Sequence, residues 1–238
     1  MQQQSKQGFG RPLYRIGTVA FIFGIVVFFG STTFHASRED PTDHPRVFAE
    51  YAESDTWIAA HIGQFTGGML ITAGFVALYR FLQEKTTSGT VSALSLIGLM
   101  TAVITAGVIA ILQAVDGISL KMAVDSWAAA PPEEKMAAFR VAEGIRWTEI
   151  GVNSIFRILQ GATAIIFSTA IMLKSGPIPR WVGGIGMFAG VMTMVAGLNV
   201  AYVGFAATMG GISLAVLSSY FAWIVIMGVY MWRRGALQ

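Results

Sequence analysis

The sequence predicts an all-α integral membrane protein, a bundle of six transmembrane helices with both termini in the cytoplasm. Two observations predict this class: 54% of the residues are hydrophobic and only 12% are charged, and the apolar residues form six long continuous runs. Soluble domains usually have about 25% charged residues, so much of this surface must face lipid. Backbone groups in lipid must be hydrogen-bonded within their own segment, so continuous apolar runs predict helices.

The six apolar runs are each long enough for the roughly 20 residues that a membrane-crossing helix needs. We predict spans at residues 16–34, 57–82, 91–115, 145–173, 181–205 and 212–232, which together form a single transmembrane domain over residues 1–238. The first run is longer than the apolar part of a typical signal peptide and lacks a small-x-small cleavage pattern. It is therefore predicted to be an uncleaved first span.

The direction of the spans follows from the basic residues, which concentrate in the segments that would lie inside if the N-terminus is cytoplasmic. The outer segments are predominantly acidic, and two of them are long, at 35–56 and 116–144. Residues 46–53 are expected to form a short surface helix. A second one should start after Pro131-Pro132 and run into the fourth span. Topology thus explains the net charge of +3, and nucleic acid is not an expected partner.

The absence of cysteine excludes disulfides, thiolate nucleophiles and cysteine metal sites. No GxSxG motif is present, so nothing in the sequence predicts a serine-hydrolase triad.

The fourth span contains polar residues that are costly in a bilayer, about 2.5–3.5 kcal/mol for a charge at the centre. Glu149, Asn153, Arg157 and Gln160 recur at spacings of four, four and three residues, which places them on one helical face. Arg157 would lie roughly 16 Å below the outer end of the span. Because a guanidinium suits carboxylate or phosphate groups, we expect Arg157 to bind an anionic group. Glu149 and Asp116 would balance its charge in the empty state.

Polar residues of the other spans also fall in the outer half of the predicted bundle. This distribution predicts an outward-facing polar pocket for a small or lipid-like ligand, above an apolar inner half. The predicted ligand-binding residues are His61, Gln64, Asp116, Glu149, Asn153, Arg157 and Asn199. The structural alternative is a hydrogen-bonded network that fixes helix packing.

Two of the histidines suggest a metal site. His35 follows the first span and His61 begins the second, so folding of the loop between them would bring the two imidazoles together. Imidazole and carboxylate ligands suit zinc, iron or manganese, although no HxxxH or HExxH spacing is present. A membrane-embedded enzyme, with or without a metal ion, in which His61 acts beside Asp116 or Glu149 is therefore an alternative function.

Two further alternatives are a transporter or channel, which needs a polar route through the inner half, and a structural accessory subunit. The sequence does not name a cofactor or a ligand, and it does not determine the oligomeric state.

Several short motifs resemble a known family. They are VALYRFL at residues 76–82, FRILQG at 156–161 and IPRW at 178–181, the last followed by Gly183, Gly184 and Gly186. Together they resemble a large bacterial family of multi-spanning membrane proteins classed as a domain of unknown function, DUF4386. The resemblance implies a prokaryotic inner-membrane location and a helical bundle. It implies no activity, so no catalytic residue is transferred from it.

Overall fold

The computed structural model describes residues 10–35, 38–84, 86–174, 176, 178–206 and 210–236, without the side chains of 210–214 and 235–236. Within these ranges the chain is helical and forms no strand. The helices are α1 (Gly10–Thr32), α2 (His44–Ala52), α3 (Trp57–Gln83), α4 (Gly89–Ala114), a π-helix (Val115–Leu120), α5 (Lys121–Ala129), α6 (Lys135–Leu173), α7 (Arg180–Val203) and α8 (Gly210–Ala236).

Six helical segments of the described chain are long and apolar enough to cross a membrane. They are α1, α3, the continuous segment from α4 through α5, α6, α7 and the Ala215–Arg234 part of α8. The prediction of an all-α protein with six membrane-spanning helices is therefore confirmed, and the protein is a multi-pass membrane protein.

Two of the helical segments extend well beyond the predicted spans. The third continues to Ala129 rather than ending at residue 115. The fourth begins at Lys135, in agreement with the helix predicted to start after Pro131-Pro132 and to run into the span at residues 145–173. Hydropathy reports where the apolar run ends, whereas backbone hydrogen bonding continues through the polar residues beyond it. A helix also occupies His44–Ala52, where Asp43 accepts a hydrogen bond from the Arg46 amide as its N-cap.

The six membrane-spanning segments form a ring in chain order. Helix α1 packs against α3, α3 against α4, α4 against α6, α6 against α7 and α7 against α8, and α8 returns to α1. Aromatic side chains fill the middle of the ring. Phe75 and Phe167 stack there with ring centroids 5.3 Å apart, next to the buried Phe21 and Trp223.

One end of the ring is covered by α2, α5 and the first turns of α6, and we refer to it as the capped end. A second apolar cluster holds these pieces together, with Phe48, Tyr51, Trp57 and Leu120 among its buried members. This cap fixes the loop after α1 and the start of α3 relative to the π-helix, which is the arrangement that builds the candidate site.

Candidate metal centre at the capped end

Three potential metal ligands from different segments meet at the capped end. They are His35 after α1, His61 in α3 and Asp116 in the π-helix, and their ligand atoms all lie within 4.8 Å of one another. His61 and Asp116 are buried, with 1% and 8% of their surface exposed, and His35 is half-buried.

The orientation of His61 is fixed by a backbone hydrogen bond. Its Nδ1 lies 2.7 Å from the carbonyl oxygen of Trp57, and because a carbonyl only accepts, Nδ1 must hold a proton. In the neutral imidazole the lone pair is then on Nε2, which lies 3.0 Å from Oδ2 of Asp116. Histidines that bind metals usually donate their second ring N–H to a carbonyl or carboxylate in this way.

The contact between His61 and Asp116 requires a cation. Two lone pairs facing each other at 3.0 Å repel unless a proton or a metal ion lies between them. The separation suits an ion pair, but within the described chain neither Nε2 of His61 nor Oδ1 of Asp116 has a hydrogen-bond partner of acceptable geometry. A metal ion held by His61 and Asp116 would accept a lone pair from each side chain, and this does not require hydrogen-bond alignment between them.

The π-helix positions Asp116 against α3. The Asp116 carbonyl accepts a hydrogen bond of 2.9 Å from the indole nitrogen of Trp57. The next residue, Gly117, packs so closely that a methyl group on it would overlap Cβ of His61. Insertions of π-helix into longer helices are frequent at functional sites, and this one brings a carboxylate to the buried imidazole.

The loop that contains His35 is held by Glu50 of α2. The Glu50 carboxylate accepts hydrogen bonds from the backbone amides of Arg38 at 2.9 Å and Glu39 at 3.1 Å, and it pairs with Nε of Arg38 at 3.1 Å. Burial raises the pKa of Glu50, but these donors outweigh burial, so its pKa lies below the ordinary value. The His35 ring packs against the Trp57 ring in a tilted arrangement, with centroids 4.5 Å apart.

A buried ion pair adjoins the three ligands. Nη1 of Arg146 donates to Glu149 at 2.7 Å, and both side chains are 4% exposed. The guanidinium lies over the rings of Tyr51 at 5.6 Å and Phe205 at 4.8 Å. Burial raises the pKa of the Tyr51 phenol, which the nearby Arg146 opposes. Arg146 and Glu149 both interact electrostatically with Asp116. We call His61, Asp116, Arg146 and Glu149 the charged cluster.

Comparison with known proteins places this bundle in a family. The model of a domain of unknown function, DUF4386, matches residues 16–235. The chain belongs to the DUF4386 family. The match begins within α1 and extends to the end of α8, so it includes all six membrane-spanning segments. It confirms the resemblance seen in the sequence. No curated protein and no solved structure matches the chain.

The structure of this DUF4386 protein brings some of the predicted site residues together. His61, Asp116 and Glu149 lie in the charged cluster, and His35 lies beside His61. The other four predicted residues lie outside it: Gln64 donates to Thr32 at 3.1 Å, Asn153 accepts from Arg157 at 2.7 Å, and Oδ1 of Asn199 is buried with no partner among the described residues.

The buried arginine of the charged cluster was missed in the sequence. The sequence singles out Arg157, and not Arg146, as the basic partner of Glu149. In the structure Glu149 pairs with Arg146 instead. The spacing of three residues between them is the usual separation of a helical ion pair, so this signal was present in the sequence.

Two cavities of the DUF4386 bundle lie away from the charged cluster. One in the middle of the ring has about 40 Å³, which is space for roughly two or three water molecules. An open cleft of about 410 Å³ on the capped end is lined by Arg38, Glu39, Arg46, Ala49, Glu50 and Glu53. Neither of these two cavities is lined by a member of the charged cluster.

Proposed function

We propose that this DUF4386 protein is a membrane-embedded metalloprotein that binds a divalent transition-metal ion through His35, His61 and Asp116. The observation that supports it is the meeting of two imidazoles and one carboxylate within 4.8 Å. Two histidines and a carboxylate are a ligand set of catalytic zinc sites and of iron(II) oxygenases, both of which keep open positions.

The main competing explanation is a purely structural ion pair between protonated His61 and Asp116. It supplies the cation that the two facing lone pairs need, but it does not involve His35, whose ring packs against those of Trp57 and His61. It also leaves Oδ1 of Asp116 buried without a partner in the described chain. A metal ion accounts for all three ligands and for the misaligned contact together.

The proposed location is the outer face of a prokaryotic cytoplasmic membrane. The excess of lysine and arginine at the uncapped end of the bundle supports this orientation. Beneath the site the ring is filled with aromatic side chains, including Phe21, Phe75 and Phe167. Because a transporter needs a polar route through this region, the filled core favours a metal-dependent activity at the capped end.

Metal binding to purified protein tests the proposal. The protein would be stripped with a chelator in detergent, and zinc binding measured by equilibrium dialysis for wild type, His61→Gln and Asp116→Asn. His44→Gln is a matched control, because this third histidine also lies at the capped end but contacts Glu143 and Phe48 instead.

We expect wild type and His44→Gln to bind roughly one ion per chain, as a single three-ligand site requires. His61→Gln and Asp116→Asn should bind at least about tenfold more weakly, a loss of about 1.4 kcal/mol or more. Thermal unfolding of each variant separates lost binding from lost folding. Absence of zinc from the wild type, or equal affinity in all four proteins, contradicts the proposal.

A further inference from the structure

We propose that the metal ion at this site holds an exchangeable oxyanion, a carboxylate or phosphate group, which Arg146 also binds. This inference rests on the proposed metal site and adds the class of ligand that would occupy its open position.

The first observation is an unused hydrogen-bond donor. Arg146 is 3% exposed and donates through Nη1 to Glu149, but its Nε has no partner in the part of the chain that the structure describes. A buried donor on a charged group is costly to leave unpaired. The planar guanidinium offers Nε and the neighbouring amino group as a fork that fits the two oxygens of a carboxylate or phosphate.

The second observation is the charge of the site. With Asp116 and Glu149 ionised and both histidines neutral, the single guanidinium of Arg146 opposes two carboxylates, and the buried set has one excess negative charge. A divalent metal ion reverses this to one excess positive charge. A bound monoanion cancels that excess, which matters because an unbalanced charge is costly in a low-dielectric interior.

The third observation is the number and placement of the ligands. Three protein ligands leave a position open on a tetrahedral ion. The Arg146 guanidinium lies over the Tyr51 ring at 5.6 Å. Tyr51 in turn lies against the rings of His35 and Trp57, so the guanidinium and the proposed ligands occupy the same region. An oxyanion there would receive one oxygen–metal bond and hydrogen bonds from Arg146. Arg157, which the sequence suggested for this role, donates instead to Asn153.

Cobalt substitution makes the open position visible, because the absorption of Co²⁺ changes when its ligands change. Cobalt-loaded protein in detergent would be titrated with sodium acetate and with inorganic phosphate. The variant Arg146→Lys keeps the charge but removes the fork. Arg140→Lys is the matched control, because Arg140 is an exposed residue of the same helix that pairs with Glu143.

We expect both anions to change the cobalt spectrum saturably in wild type and Arg140→Lys, with at least tenfold weaker binding in Arg146→Lys. The double variant R146Q/E149Q removes both charges of the ion pair, so the net charge is unchanged and neither residue remains as an unpaired buried ion. Its cobalt spectrum should no longer change when the anions are added. This second variant keeps the test valid if Arg146→Lys folds poorly.

Reconstitution distinguishes the two sources of such an oxyanion. Cobalt-loaded protein would be placed in vesicles of phosphatidylcholine alone or with phosphatidylglycerol. A spectrum that changes with phosphatidylglycerol assigns the position to a lipid headgroup, and a response to soluble anions alone assigns it to a free solute.

The two proposals fail in different ways. Absence of any cobalt spectrum overturns both. A cobalt spectrum that neither soluble anions nor phosphatidylglycerol changes, or an equal anion affinity in wild type and Arg146→Lys, overturns the oxyanion position and leaves the metal site intact.

Discussion

Replacing Gly117 with alanine tests whether the contact between the π-helix and α3 builds the site. The added methyl group would overlap Cβ of His61 and lie 2.7 Å from its Cγ, where ordinary contacts begin at 3.4 Å. Relieving the Cγ contact alone requires a shift of about 0.7 Å, and the closer Cβ contact requires more. This is large compared with the roughly 0.2 Å tolerance of metal–ligand distances. The variant should lose metal affinity although no ligand is changed.

The effect on stability follows from two opposing contributions. Overpacking a buried contact costs about 1–3 kcal/mol, whereas replacing a helical glycine with alanine stabilises by about 0.5–1 kcal/mol. Gly107→Ala, on the preceding helix α4, is the matched control because nothing lies within 4 Å of an added methyl group there. Both variants gain the same glycine-to-alanine stabilisation, so it cancels in their comparison. Their unfolding free energies should differ by about 1–3 kcal/mol, which is the cost of the overlap with His61.

Equilibrium unfolding in mixed detergent, with zinc affinity measured on the same preparations, would check this prediction. Gly107→Ala should match or exceed the stability of wild type and bind zinc normally. If Gly117→Ala is as stable as Gly107→Ala and binds zinc equally well, the close approach at His61 does not position the ligand.

Three other substitutions test the surroundings of the site and the rest of the bundle. The Glu50 pKa lies below its ordinary 4.5, so its hold on the His35 loop should be complete above that pH and lost as the pH falls through the lowered pKa. In wild type, hydrogen exchange of the amides at 38 and 39 should lose its protection as the pH falls through this pKa. In Glu50→Gln the same amides should exchange faster already at neutral pH, and in the exposed control Glu53→Gln they should exchange as in wild type. Gly186→Ala should lower the unfolding free energy by about 1–3 kcal/mol, because the methyl group would overlap buried serine and tryptophan side chains, whereas Gly184→Ala meets nothing within 4 Å. Lys174→Met should cost about 1–3 kcal/mol in the same unfolding assay, because Nζ donates to two backbone carbonyls, at 2.6 and 2.8 Å, near the end of α3.

The sequence predicted the six membrane-spanning helices well because hydrocarbon imposes one requirement on all of them. Each must supply enough apolar residues to cross the bilayer and must satisfy its own backbone. The same signal does not extend beyond the bilayer. Residues 116–129 are mixed in polarity, so their hydropathy did not predict the helix that continues through them.

The site was predictable only in part. His35 and His61 flank one loop, so their proximity followed from chain connectivity. Glu149 has one basic residue, Arg146, at the spacing of a helical ion pair and another, Arg157, two turns away on the same face. The burial of the Arg146 pair depends on how α6 packs beneath the cap. The approach of Asp116 depends on the register that the π-helix creates, and no spacing in the sequence reveals this register.

X-ray absorption at the zinc edge of the wild-type protein would test the metal site most directly. The account predicts about four nitrogen and oxygen ligands at roughly 2.0–2.1 Å, with the multiple scattering of two imidazoles, reduced to one in His35→Gln. A purified protein that retains no stoichiometric metal, or a spectrum without imidazole scattering, would contradict the metal centre and leave the buried residues at the capped end as a structural ion-pair network.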